Sequence, residues 1–112
     1  MEFKTLKVYD KAREAYQIIQ ESIISKIGDR NARDQLHRAS LSIVLNIAEG
    51  SDRITDPDKK RFYVISRGSA YECYALIDLV KEKTEIITSI LQTLEEISKM
   101  LYGLIKKLTK VK

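Results

Sequence analysis

Apolar residues recur every three or four positions along nearly the whole chain, the rhythm of helices that each bury one face. Tyr9, Ala12, Tyr16, Ile19, Ile23 and Ile27 mark a first helix over about residues 6–26. Gly28 and Asp29 punctuate its end, and Asp29 is placed to cap a second helix over 30–50 by accepting a hydrogen bond from a free backbone N–H. The first half of that helix is polar. From Ala39 onward it is apolar almost all round, through Leu41, Ile43, Val44, Leu45, Ile47 and Ala48. A helix apolar on every side calls for burial on every side, and four helices of this length do not enclose one of their own. Leu41, Val44, Leu45 and Ala48 are therefore expected at an interface with another subunit.

Asp56 and Pro57 start a third helix over about 57–83, with Asp56 as its cap and Pro57 in the first helical position. Phe62, Ile65, Ser69, Leu76 and then Leu79 or Val80 carry its rhythm. The fourth helix, over about 85–110 behind a Thr84 cap, has the clearest seam: Ile87, Ile90, Leu94, Ile97, Leu101, Leu104 and Leu108. The four segments predict one all-helical domain over residues 1–112, built as a four-helix bundle. Four Gly and one Pro in 112 residues leave few breakers to contradict that reading.

Chemistry-bearing residues are few. The lone Cys73 excludes an internal disulfide, and with no apolar leader behind Met1 it predicts a reducing, cytoplasmic setting. No apolar run approaches the roughly 20 residues that span a bilayer. Cys73 sits among small residues and is expected to be buried and inert. His37 has no Cys or His at ligand spacing, so neither a metal nor another cofactor is expected. Gly68 and Gly103 interrupt predicted helices, and each calls for close approach of a neighbouring backbone, from this bundle or from another subunit.

Ser42, Asn46 and Glu49 fall at i, i+4 and i+7 in the second helix, with Arg38 above them and Arg53 below. Glu72 occupies an expected inward position between Ser69 and Leu76. Stranding a buried carboxylate costs several kcal/mol, so Arg38, Ser42, Asn46, Glu49 and Glu72 are read as an internal polar network that fixes helix register. The rival reading makes Glu49 and Glu72 an acid/base pair. No second catalytic residue type accompanies them, and we expect no enzyme.

The net charge of +4 permits a polyanionic partner without requiring one. Lys59, Lys60 and Arg61 open the third helix, with Arg67 nearly two turns on. Lys106, Lys107, Lys110 and Lys112 crowd the C-terminus, and Lys4, Lys7, Lys11 and Arg13 stud the first helix. Solvation explains such clusters, and so does phosphate binding. On the second reading Arg53, Lys59, Lys60, Arg61 and Arg67 lead, followed by Lys106, Lys107 and Lys110. Tyr63, Tyr71, Tyr74 and Tyr102 are possible stacking groups.

The run from Arg38 to Gly50, Arg-Ala-Ser-Leu-Ser-Ile-Val-Leu-Asn-Ile-Ala-Glu-Gly, resembles the hallmark of the four-helix bundle family of 23S rRNA intervening-sequence proteins. Phe3–Tyr9, Arg61-Phe62-Tyr63 with Gly68, Ser69 and Glu72, and the stretch 94–105 are similar to the rest of the family pattern. The resemblance implies an up-down-up-down bundle that assembles into a ring-shaped homopentamer, and it brings no catalytic residues. It departs from the pattern at Val44, where many relatives carry Pro, and at 81–84, where relatives have a Gly-containing turn. The expected function is a non-catalytic oligomeric bundle that binds nucleic acid, structured RNA first, through its basic clusters. The alternative is a protein-interaction scaffold.

Overall fold

In the computed structural model, which describes Phe3 and residues 6–109, the chain forms α1 (Lys7–Ile18), α2 (Arg30–Ser51), α3 (Asp56–Asp78) and α4 (Glu85–Leu108). No strand occurs among the described residues. The body measures 47 × 23 × 21 Å.

Local chemistry sets the helix starts. Asp29 Oδ2 accepts from the Ala32 N–H at 2.8 Å and caps α2. Thr84 Oγ1 accepts from the Ile87 N–H and caps α4. At α3 the cap is Thr55, whose Oγ1 accepts from the Asp58 N–H. Asp56, expected as the cap, is instead the first helical residue. Its carboxylate and that of Asp58 face the positive end of the helix dipole, and Pro57 removes an N–H that has no partner in a first turn.

The helix ends depart further from expectation. The first helical segment does reach Lys26, but by way of a π turn at Ile19–Ile23 and a 3-10 turn at Ile24–Lys26. Within the π turn, Gln20 Nε2 donates to Ser40 Oγ at 3.0 Å, and Gln20 Oε1 lies 2.8 Å from His37 Nδ1. Helix α3 stops at Asp78, not near 83. Lys81, Glu82 and Lys83 offer no apolar side chain to hold another turn on the core. The connection is closed without glycine: Lys83 Nζ donates to the Asp78 carbonyl at 2.7 Å and to the Val80 carbonyl.

Neighbouring helices run antiparallel. Gln20 meets Ser40 across α1–α2, Ser42 Oγ lies 2.8 Å from Ser69 Oγ across α2–α3, and Arg67 Nε donates to Ser98 Oγ at 3.2 Å across α3–α4. Lys11 closes the circuit with Glu96 at 2.9 Å. This is an up-down-up-down bundle. Ile19, Ile23, Leu36, Ile43, Ile47, Ile77, Ile87, Ile90, Leu94, Ile97 and Leu101 form its fully buried centre.

Helix α3 is turned part-way from the expected face: it buries Tyr63, Ser66, Ser69, Ala70, Cys73 and Ile77, and the expected Leu76 and Val80 pack on the core, while Ile65 is 42% exposed and Leu79 is 77% exposed. Between Tyr63 and Ile77 the inward side chains are small, and the buried serines are satisfied: Ser69 Oγ meets Ser42 Oγ, and Ser66 Oγ donates to the Ile43 carbonyl at 2.8 Å. That contact draws α3 close to α2. At the end of α2 the approach is so tight that a Cβ on Gly50 would lie 2.8 Å from Tyr63 Cε1. Gly68 and Gly103 meet no atom within 4 Å, so no helix of this bundle approaches them.

Candidate nucleic-acid interface

Antiparallel order gathers the start of α1, the end of α2, the start of α3 and the end of α4 at one end of the bundle. Every basic residue expected at phosphates lies at that end except Arg67, at mid-length on α3; Lys110 lies outside the described residues. The cations around the α2–α3 turn are largely occupied. Arg53 forms an i, i+4 ion pair with Glu49. Its guanidinium and that of Arg61 lie 4.6 and 4.5 Å from the centroid of the Phe62 ring. Lys59 Nζ donates to the Ser51 carbonyl at 3.0 Å, satisfying an orphan acceptor at the end of α2. Four acidic residues, Glu49, Asp52, Asp56 and Asp58, accompany the four cations Arg53, Lys59, Lys60 and Arg61, so the segment 49–61 is neutral.

The end of α4 differs. From Ile97 to Lys112 the sequence holds five lysines and no acidic residue. Lys106 and Lys107 are exposed in the last turn of α4, where the negative end of the helix dipole favours them. Lys107 also borders a 290 Å³ cavity with Leu6, which precedes α1, Lys7 of α1, and Met100, Gly103 and Leu104 of α4, which places Lys7 on the same surface.

Arg67 links this surface to the α3–α4 face. Its Nη2 donates to Tyr71 Oη at 2.6 Å, its Nε to Ser98 Oγ, and its guanidinium lies 5.0 Å from the ring centroids of both Tyr71 and Tyr102. Two rings and two hydroxyls fix the charge in place while leaving the residue half-exposed. Beside it opens a 490 Å³ groove with Tyr74, Glu95 and Lys99 on its walls. Partial burial, then the hydrogen bond to Glu95 and the Glu95 and Asp78 charges, raise the Tyr74 phenol above its usual pKa.

The expected polar network forms only in part. Asn46 Nδ2 donates to the Ser42 carbonyl and hydroxyl at 2.9 and 3.0 Å, and Ser42 meets Ser69. Arg38, Glu49 and Glu72 are exposed and lie outside that cluster. The turn of α3 carries Glu72 outward, and Glu49 has Arg53 within reach on its own helix. The register set by Ser42 and Ser69 puts Glu72 level with Ala39, ten residues or about 15 Å along α2 from Glu49. The two carboxylates do not converge.

The expected interface residues also divide. Val44 belongs to this chain's own core at 9% exposure, a correction to its expected place between subunits. Leu45 is 53% exposed, and Leu41 and Ala48 beside it are half-buried. Cys73 is fully buried, and desolvation, with the Glu72 charge second, pushes its thiol up to about 12. No group of His, Cys, Asp and Glu among the described residues is arranged to hold a metal ion. No helix there is long and apolar enough to cross a membrane.

The sequence pattern of the 23S rRNA-intervening sequence proteins matches residues 4–103. The chain belongs to that family. A solved relative has the same fold: a Bacteroides thetaiotaomicron protein with unknown function from the S23 ribosomal protein family. It is 25% identical, covers 88% of this chain and 98% of its own, and superposes with a TM-score of 0.75. No curated protein matches the sequence. The family pattern takes in Arg67, Tyr71, Glu95 and Lys99 and stops short of Lys106 and Lys107. Membership therefore speaks to the bundle.

Proposed function

We propose that this 23S rRNA-intervening sequence family member is a non-catalytic, oligomeric helical bundle that binds nucleic acid, structured RNA in particular. The observation that carries the reading is the acid-free final stretch of α4, whose exposed Lys106 and Lys107 share a surface with Lys7. Uncompensated lysines attract phosphates and release their counterions, which gives affinity without reading sequence. The family's name points to RNA as the polymer. Lys106 and Lys107 lead this surface, with Arg67 farther along the bundle at mid-length on α3. Arg53, Lys59, Lys60 and Arg61 follow, because Glu49, the Ser51 carbonyl and Phe62 engage the first, second and fourth, and the segment that carries all four has no net charge.

The reading includes assembly. Leu45, with Leu41 and Ala48, leaves an apolar strip on the outer face of α2 that a second copy would cover. The family resemblance favours a homopentameric ring, which would multiply a modest basic patch fivefold and sum weak contacts. A cytoplasmic location suits the buried, unpaired Cys73. No catalytic role is assigned: Glu49 and Glu72 are far apart, and the thiol is protonated and inaccessible.

Fluorescence anisotropy with labelled hairpin RNA, duplex DNA and single strands, at two salt concentrations, tests the reading. Tight hairpin binding that falls steeply with salt supports it. No binding to any polymer at low salt refutes it and turns attention to a protein partner on the α2 strip.

A further inference from the structure

The α3–α4 groove has a composition that phosphate binding alone leaves unused. Its floor is apolar, formed by Ala70 and Leu94, each 1% exposed. Tyr71 and Tyr74 supply aromatic walls from successive turns of α3. The rim is polar and of mixed sign: Arg67 and Lys99 are cations, and Glu95 is an exposed carboxylate one turn before Lys99. Tyr74 lines the groove together with Glu95, whose carboxylate offers acceptor positions to a group bound there. The volume of 490 Å³ exceeds what a single planar heterocycle occupies and is small for a peptide helix.

A phosphate backbone does not belong in this groove, because Glu95 repels it. A base does. It has two apolar faces for the Ala70–Leu94 floor and the tyrosine walls, and an edge for the rim, while its own phosphates remain outside near Arg67 and Lys99. The carboxylate selects among bases. Guanine presents N1–H and N2–H side by side, and both donate to a carboxylate. Uracil presents one N–H between two carbonyl oxygens, which the same carboxylate repels.

We propose that the α3–α4 groove receives one unpaired guanine of a bound RNA, stacked against the tyrosine walls and held at its N1 and N2 edge by Glu95. The inference rests on the nucleic-acid reading above and adds a base-specific contact to it. It makes Glu95 the selecting residue and Tyr71 the stacking residue, with Arg67 and Lys99 steering the flanking phosphates.

The test uses the full-length protein and three labelled RNA hairpins of one length: fully paired, with a single bulged guanosine, and with a single bulged uridine. The guanosine bulge should bind about tenfold more tightly than the other two, the lower part of what one good base-edge contact contributes. Glu95→Gln should bring the three affinities together. Tyr71→Leu keeps an apolar side chain at the site and should weaken the guanosine bulge more than the other two hairpins. Equal wild-type affinities for the three hairpins would overturn the groove assignment and leave the phosphate reading standing. A guanosine preference that survives Glu95→Gln would place the base elsewhere and also overturn it. Binding to none of the three would remove the nucleic-acid reading itself.

Discussion

Gly50 lies against the ring of Tyr63, with room between them for a hydrogen and not for a methyl group. The contact joins the last turn of α2 to the second turn of α3 and sets how closely the two helices pack. Gly50→Ala forces the ring or a helix to move and should destabilise the bundle by about 1–3 kcal/mol, the usual cost of overpacking. Thermal unfolding reads this directly. An unchanged melting temperature would show that Tyr63 yields freely.

Gly68 is the contrasting case, because among the described residues nothing would lie within 4 Å of a Cβ added there. Gly68→Ala should stabilise an isolated bundle by roughly 1 kcal/mol through helix propensity alone. A lower melting temperature together with a smaller particle mass would place another subunit against Gly68.

Leu45 is the most exposed apolar residue of the α2 strip. Leu45→Asp should leave the helical circular dichroism intact and lower the mass measured by light scattering toward the 12.9 kDa of one chain. A wild-type protein that already runs as a monomer at micromolar concentration would contradict the assembly.

Cys73 predicts an alkaline effect with a definite sign. Its thiol is raised from 9.0 to about 12 in the folded chain, so the folded state keeps a proton that the unfolded chain releases above about pH 9. The associated stability is present in full below pH 9 and is lost as pH rises toward 12. Between about pH 8 and about pH 10.5 the wild type should therefore lose more stability in urea than Cys73→Ala does. Equal losses would show that the thiol does not drive the effect. Thiol reagents should react with Cys73 only on unfolding.

Much of this architecture was legible in the spacing of apolar residues, and the physical reasons for the misses are specific. The seam of α4 and the Asp29 and Thr84 caps stand as expected, because large side chains and side-chain capping leave strong local signals. Helix α3 misled because its core face is made of Ser66, Ala70 and Cys73, while the bulkier Ile65 and Leu79 lie outside. Size and hydropathy carry no trace of the Ser66–Ile43 hydrogen bond that makes a serine an inward residue. Glu72 was carried to the wrong side by the same rotation. Lysine and arginine clusters were visible, but their availability was not: the sequence lists Arg53, Lys59 and Arg61 as free cations, and the fold engages each of them. The interleaved acids between Glu49 and Arg61 were the signal that pointed to this. The Arg67 clamp between Tyr71 and Tyr102 joins two helices and has no signature within either.

The central claim is that the terminal lysines of α4, more than the cations of the α2–α3 turn, hold nucleic acid. The most direct measurement is the salt dependence of hairpin-RNA affinity for wild type, Lys106→Gln/Lys107→Gln and Lys59→Ala/Lys60→Ala/Arg61→Ala. Each phosphate contact contributes roughly one to the slope of log affinity against log salt. The double variant should lower that slope by nearly two per chain engaged, and the triple variant should change it less. A slope unmoved by the double variant and flattened by the triple one would contradict the account and return the phosphate site to the α2–α3 turn.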